Sequence, residues 1–240
     1  MLKLRAKHVI WWLLVACVAG CARNTVQPGT ENRATMPRPM RVLVYEPVVN
    51  EGDVTENENV VVPEGQDHRE QIGELAAAAF AAELVEGIDR LGLAVERARR
   101  DTPVPENALL VTAKFVDVDE GNQTKRLVVG FGSGASHINV QVRVYYSHHG
   151  RRTKLLEFKT HSDSGKMPGA AATMGTGAVV AGGVTATSVV AGAVVGGVKA
   201  HRSAIERMAA KSGEQATNYL SEYFGKQGWI SRDRVKKAKQ

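Results

Sequence analysis

Ser136-His137-Ile138-Asn139-Val140-Gln141-Val142-Arg143-Val144-Tyr145-Tyr146 is the most regular stretch of this 240-residue chain. Ile138, Val140, Val142, Val144 and Tyr146 share one side of an extended backbone. His137, Asn139, Gln141, Arg143 and Tyr145 share the other. Such alternation predicts a strand with one dry and one wet face, the habit of an antiparallel sheet. His148-His149-Gly150-Arg151 reads as a tight turn, and residues 154–162 as the returning strand with Leu156 and Phe158 inward. The adjacent histidines have no carboxylate or third histidine at ligand spacing, so a hairpin tip is the better reading than a metal site.

Working upstream, Leu109, Val111, Ala113 and Phe115 alternate with Leu110, Thr112, Lys114 and Val116 as another strand. The Asp101-Thr102-Pro103-Val104-Pro105 turn separates it from a strand at 93–97. Ile72, Ala76, Phe80, Leu84, Ile88 and Leu91 recur at helical spacing opposite Glu70, Glu74, Glu83, Glu86 and Asp89, predicting an amphipathic helix over 69–91 capped by Gly92. A short strand at 41–46 precedes an acidic loop (Glu51, Asp53, Glu56, Glu58, Glu64, Asp67) that lacks the ligand spacing of a calcium site. Downstream, Ile205, Met208, Ala209, Ser212, Ala216, Tyr219, Leu220 and Tyr223 line one face of a second helix that Gly225 ends. The fold class is α+β: a mainly antiparallel or mixed β-sheet packed against an amphipathic helix and a C-terminal helix.

The N-terminus sets the compartment. Lys3, Arg5 and Lys7 precede the apolar run 9–18, too short to span a bilayer core of about 30 Å and therefore a signal peptide. The run ends in Val18-Ala19-Gly20-Cys21, the pattern of a bacterial lipobox, which makes Cys21 the lipidation site. Cys17 lies in the removed leader, so the mature chain has neither a free thiol nor a disulfide. Without the leader, 28 basic side chains face 25 acids, and the residual charge is no argument for nucleic acid. Pro28, Gly29, Pro37 and Pro39 lie in a polar stretch without periodicity, which predicts a flexible linker reaching up to about 60 Å from the membrane. Ala22, rather than Asp, after the cysteine matches outer-membrane sorting, with the domain facing the periplasm.

Asp119-Glu120-Gly121-Asn122 and Lys125-Arg126-Leu127-Val128-Val129-Gly130-Phe131-Gly132-Ser133-Gly134 form the densest motif. It resembles the signature of the domain of unknown function 4410 family of bacterial lipoproteins: an acidic-Gly-Asn turn, a basic pair, then Gly-Phe-Gly-x-Gly before a strand. The resemblance runs from about residue 41 to 230 and includes Gly228-Trp229 after the closing helix. It implies an envelope lipoprotein and nothing catalytic. Gly121, Asn122, Arg126, Gly130, Phe131, Gly132 and Gly134 are read as structural. Their spacing is not that of a dinucleotide loop, because no helix follows to hold a pyrophosphate. A bulge or strand bend explains them better.

Residues 169–198 carry no charge and consist of eight Gly, eight Ala, eight Val, four Thr, one Ser and one Met. Eight glycines cost a helix on the order of 8 kcal/mol relative to alanine. Gly182, Gly192 and Gly196 are candidate positions for close helix packing. Three readings stand: a close-packed helix or hairpin, a membrane-inserted glycine zipper, and a flexible segment. The chain divides into a signal peptide (1–20), lipidated Cys21 with a linker (21–40), an α/β core (41–168), the Gly/Ala/Val-rich segment (169–199), a C-terminal helix (200–225) and a basic tail (226–240). That tail reads either as a frayed, solvated end or as a contact for anionic lipid or cell wall.

No G-x-S-x-G, H-E-x-x-H, C-x-x-C or Walker motif occurs, and no metal or cofactor set is evident. The expected function is therefore a non-enzymatic, membrane-anchored envelope lipoprotein that binds an envelope partner or a second copy of itself. The alternative is a subunit of an oligomeric pore or secretion component that places the glycine-rich segment in the membrane.

Overall fold

The computed structural model describes residues 23–55, 68–119, 121, 135–165 and 186–240, with the helical backbone alone for 186–203. In chain order the elements are β1 (Asn24–Glu31), β2 (Arg41–Tyr45), β3 (Val54–Thr55), α1 (His68–Arg90), β4 (Val95–Ala98), β5 (Ala108–Asp119), β6 (His137–His148), β7 (Arg151–Asp163) and α2 (Ala186–Lys226). The strands form one mixed sheet in the order β1-β7-β6-β5-β2-β4, with β3 paired to β5. β2 runs parallel to both β4 and β5, and β3 runs parallel to β5. The β5-β6-β7-β1 half is antiparallel. The α+β expectation holds.

The alternating residues of β6 behave as their pattern requires: Ile138, Val140, Val142, Val144 and Tyr146 are buried. They join Val42, Val44, Leu109 and Val111 beneath both helices in one apolar cluster. Phe80 of α1 meets Phe115 edge-on at 5.7 Å, and Tyr219 of α2 lies 4.7 Å from Phe158 between ring centroids. The predicted inner face of α2, from Ile205 to Tyr223, is buried throughout. The connection over residues 99–107 links β4 to β5, the two parallel neighbours of β2, and so must cross a face of the sheet. Leu43 and Leu110, which alternation places away from the core cluster, are buried as well.

The β6–β7 turn has φ of +49° at His149 and +68° at Gly150, the pair of left-handed residues that matches strand twist in a two-residue hairpin. Glu106 fastens it, accepting from the N–H groups of His149 (2.9 Å) and Gly150 (3.2 Å).

Two terminal segments differ from the sequence reading. The stretch taken as a flexible linker contains β1, which pairs antiparallel with β7 from Asn24↔Ser162 to Glu31↔Leu156. An edge strand needs little periodicity: Val26 alone among its apolar side chains is buried, and Pro28 is tolerated at an edge where the register shifts. The basic tail is not frayed. Trp229 and Ile230 are buried, and Trp229 Nε1 donates to the Met36 carbonyl at 2.9 Å. The residues after them are held by polar groups of α2: Lys236 N–H donates to Ser221 Oγ, Ala238 N–H to Glu222 Oε1, and Lys239 N–H to Gln215 Oε1. The Lys239 carbonyl accepts from Val26 N–H at 2.7 Å. The tail therefore reaches the outer edge of β1, while its lysines remain exposed.

Candidate functional site at the motif end of the sheet

Three strands end together where the glycine motif begins. Asp119 pairs with His137, and His137 pairs with Asp163; two residues inward, Asp117, Asn139 and His161 form a second row. Simple alternation from Phe115 would send Asp117 and Asp119 into the core. A register shift between Phe115 and Asp117 reverses the parity, so Val118 is buried and both carboxylates reach the wet face. That bulge builds the site.

His137 bridges the two carboxylates, with Nε2 2.6 Å from Asp117 Oδ2 and Nδ1 3.7 Å from Asp119 Oδ2. Asn139 Nδ2 donates to the same Asp117 oxygen at 3.1 Å. His161 lies 2.8 Å through Nδ1 from Asn139 Oδ1 and 3.5 Å through Nε2 from Asp163 Oδ2. These side chains are about one-fifth to two-fifths exposed, so water reaches them and the pairs bind weakly one by one.

Asp163 differs from the others. Burial pushes its carboxyl upward, but the N–H groups of Arg23 (2.9 Å) and Gly165 (2.8 Å), with His161 beside it, outweigh that effect and hold it below its ordinary value of 3.8. Ser164 and Ser136 close the strand ends through Ser136 N–H to Ser164 Oγ and Ser164 N–H to the Ser136 carbonyl, both 3.0 Å. Chemically the arrangement is a cross-strand clasp of titratable groups. Among the described residues, no group of three or more His, Cys, Asp or Glu side chains is placed to hold a metal ion.

A cleft of about 500 Å³ lies nearby, between the chain after β2 and the first turns of α1. Glu46, Asn50, Arg69, Glu70 and Glu74 supply its polar wall. Glu46 also pairs with Arg97 at 2.8 Å.

Of the residues singled out in the sequence, Gly121 is described: it is buried, has φ of +73°, and its N–H donates to Asp119 Oδ1 at 2.7 Å. It thus begins the motif connection directly from the clasp. Cys21, Asn122, Arg126, Gly130, Phe131, Gly132, Gly134 and Gly182 lie outside the described residues. Gly192 and Gly196 fall in the first turns of α2. Among the residues whose side chains are described, α1 and α2 approach closely at two other glycines. A Cβ on Gly87 would stand 2.5 Å from Thr217 Oγ1, and one on Gly213 would stand 3.0 Å from the Phe80 carbonyl. Sequence reasoning placed His137 and Asn139 on the wet face and read no cluster there. The available signal was three i,i+2 polar pairs, Asp117/Asp119, His137/Asn139 and His161/Asp163, each at a strand end.

The family described as Domain of unknown function (DUF4410) matches residues 42–181. No curated protein matches the chain. Among solved structures, the PelC dodecamer from Paraburkholderia phytofirmans is 11% identical, with 80% of this chain and 94% of that chain covered at a TM-score of 0.30. Protein XCC0632 from Xanthomonas campestris, described with the family DUF330, is 14% identical over 84% of this chain and 95% of its own, at 0.35.

Proposed function

The chain belongs to the DUF4410 family, and from that premise we propose that it is a non-enzymatic bacterial envelope lipoprotein, acylated at Cys21, whose α+β body is an interaction module. One observation supports this above the rest. Arg23, just before β1, donates its N–H to Asp163 Oδ1 and accepts from Asp163 N–H at its carbonyl, both at 2.9 Å. The lipobox pattern therefore runs directly into an edge strand. Two residues reach about 7 Å, so acyl chains on Cys21 hold the body against the bilayer instead of on a long tether. Ala22 favours the outer membrane, with the body in the periplasm and an envelope protein or a second copy as partner. The exposed tail lysines Lys236, Lys237 and Lys239 remain available to anionic lipid or cell wall.

Radiolabelled palmitate tests the reading. Label enters the wild-type chain and is absent from Cys21→Ala, and globomycin leaves a slower-migrating precursor. A wild-type chain without label, unaffected by globomycin, overturns it. A second reading, a subunit of an oligomeric pore or secretion component, draws on the continuation of α2 into the glycine-rich run. A monomer after removal of the anchor rules that one out.

A further inference from the structure

α1 and α2 run side by side in one direction, since Gly213 of α2 meets Phe80 and Glu83 of α1, and Thr217, one turn further on, meets Gly87. Continued toward the N-termini, this register brings His68, the first residue of α1, level with Val198 of α2. The turns of α2 before Val198 therefore overhang α1 by about 18 Å at 1.5 Å per residue. The contacts of Thr160 with Ser212, Phe158 with Tyr219 and Tyr146 with Trp229 orient α2, placing its first turns at the Asp163 end of the sheet.

That end is already distinctive. Asp119 pairs with Thr55 and His137, His137 pairs with Asp163, and Asp163 is bonded to Arg23, two residues after Cys21. The overhang is also the part of α2 without charge: residues 186–198 are Ala, Thr, Ser, Val and Gly, and Lys199, His201 and Arg202 follow at once.

We propose that this overhang enters the bilayer leaflet that holds the Cys21 acyl chains, so that the motif end of the sheet faces lipid and the His149-Gly150 turn points away. The inference deepens the lipoprotein reading and rests on it. Half of a hydrocarbon core of about 30 Å is close to the length of the overhang, which matches one leaflet and not two. A helix satisfies its own backbone hydrogen bonds there. Valine, alanine and glycine drive insertion weakly, and the neighbouring anchor supplies the remaining attachment. Lys199 and Arg202 come where the helix would leave the hydrocarbon for the headgroups. Among the described residues, no helix is long and apolar enough to cross a membrane.

The mature chain has no cysteine besides Cys21, so single-site labels report cleanly. Val190→Cys and His149→Cys, each carrying a bimane label in the full acylated chain, are reconstituted into phosphatidylethanolamine/phosphatidylglycerol vesicles with brominated acyl chains. The label at 190 loses most of its fluorescence and the label at 149 keeps it. An unquenched label at 190 on vesicle-bound, palmitate-bearing protein overturns the inference and leaves the lipoprotein reading standing. Absence of palmitate overturns that reading. With no acyl chains on Cys21 the inference, which rests on them, falls with that reading.

Discussion

The two ends of the sheet are closed in different ways. At the hairpin end, a two-residue turn joins β6 to β7, Glu106 ties that turn to the start of β5, and Trp229 packs among Tyr146, Tyr223 and Phe224. At the motif end, polar residues of β5, β6 and β7 clasp one another across strands, and the chain leaves toward the anchor, the motif and the glycine-rich run. Aromatic rings gather at the first end, and the second carries the cross-strand polar clasp alongside buried Val118 and Ile138. The difference teaches that the two ends are held by different forces, so a substitution at each reports on a different one.

Substitutions at the two ends break or sharpen that contrast. The largest effect is expected for Trp229→Ala, which removes a buried ring and its bond to Met36 and lowers unfolding free energy by about 3–5 kcal/mol in urea titrations. Asp163→Ala deprives the Arg23 and Gly165 N–H groups of their acceptor and costs about 1–2 kcal/mol at neutral pH. Its folded carboxyl titrates below 3.8, so its contribution is complete above that value and fades as pH falls through the lower, folded value. Unfolding curves of wild type and variant should converge in that acid range, and a gap that widens there would contradict the assignment. Gly150→Ala forces a side chain into a left-handed turn and should cost about 1 kcal/mol, read from the same titrations. Val194→Asp, in the part of α2 that the helix register carries past the start of α1, should change the unfolding free energy by less than about 0.5 kcal/mol. The same variant should reduce vesicle association, measured by flotation.

Legibility in the sequence followed the strength of periodic burial. β6 and α1 could be read because every second residue, or every third and fourth, meets the same core. β1 could not, because an edge strand with one buried side chain has no pattern to display. The tail was missed for another reason: its ties run from backbone N–H groups to Ser221, Glu222 and Gln215, which hydrophobic patterning does not register. The clasp was half visible. His137 and Asn139 were placed on the wet face, but Asp117 and Asp119 join them only through the bulge after Phe115, a change of parity that alternation cannot foresee. Of the glycine motif, Gly121 stands at the head of the β5–β6 connection with φ of +73° and its N–H bonded to Asp119.

The hydrogen bond from Val26 N–H to the Lys239 carbonyl joins segments 213 residues apart. During synthesis the first strand emerges long before its clamp exists, so the outer margin of the sheet is completed only after the segment around Lys239 has left the ribosome.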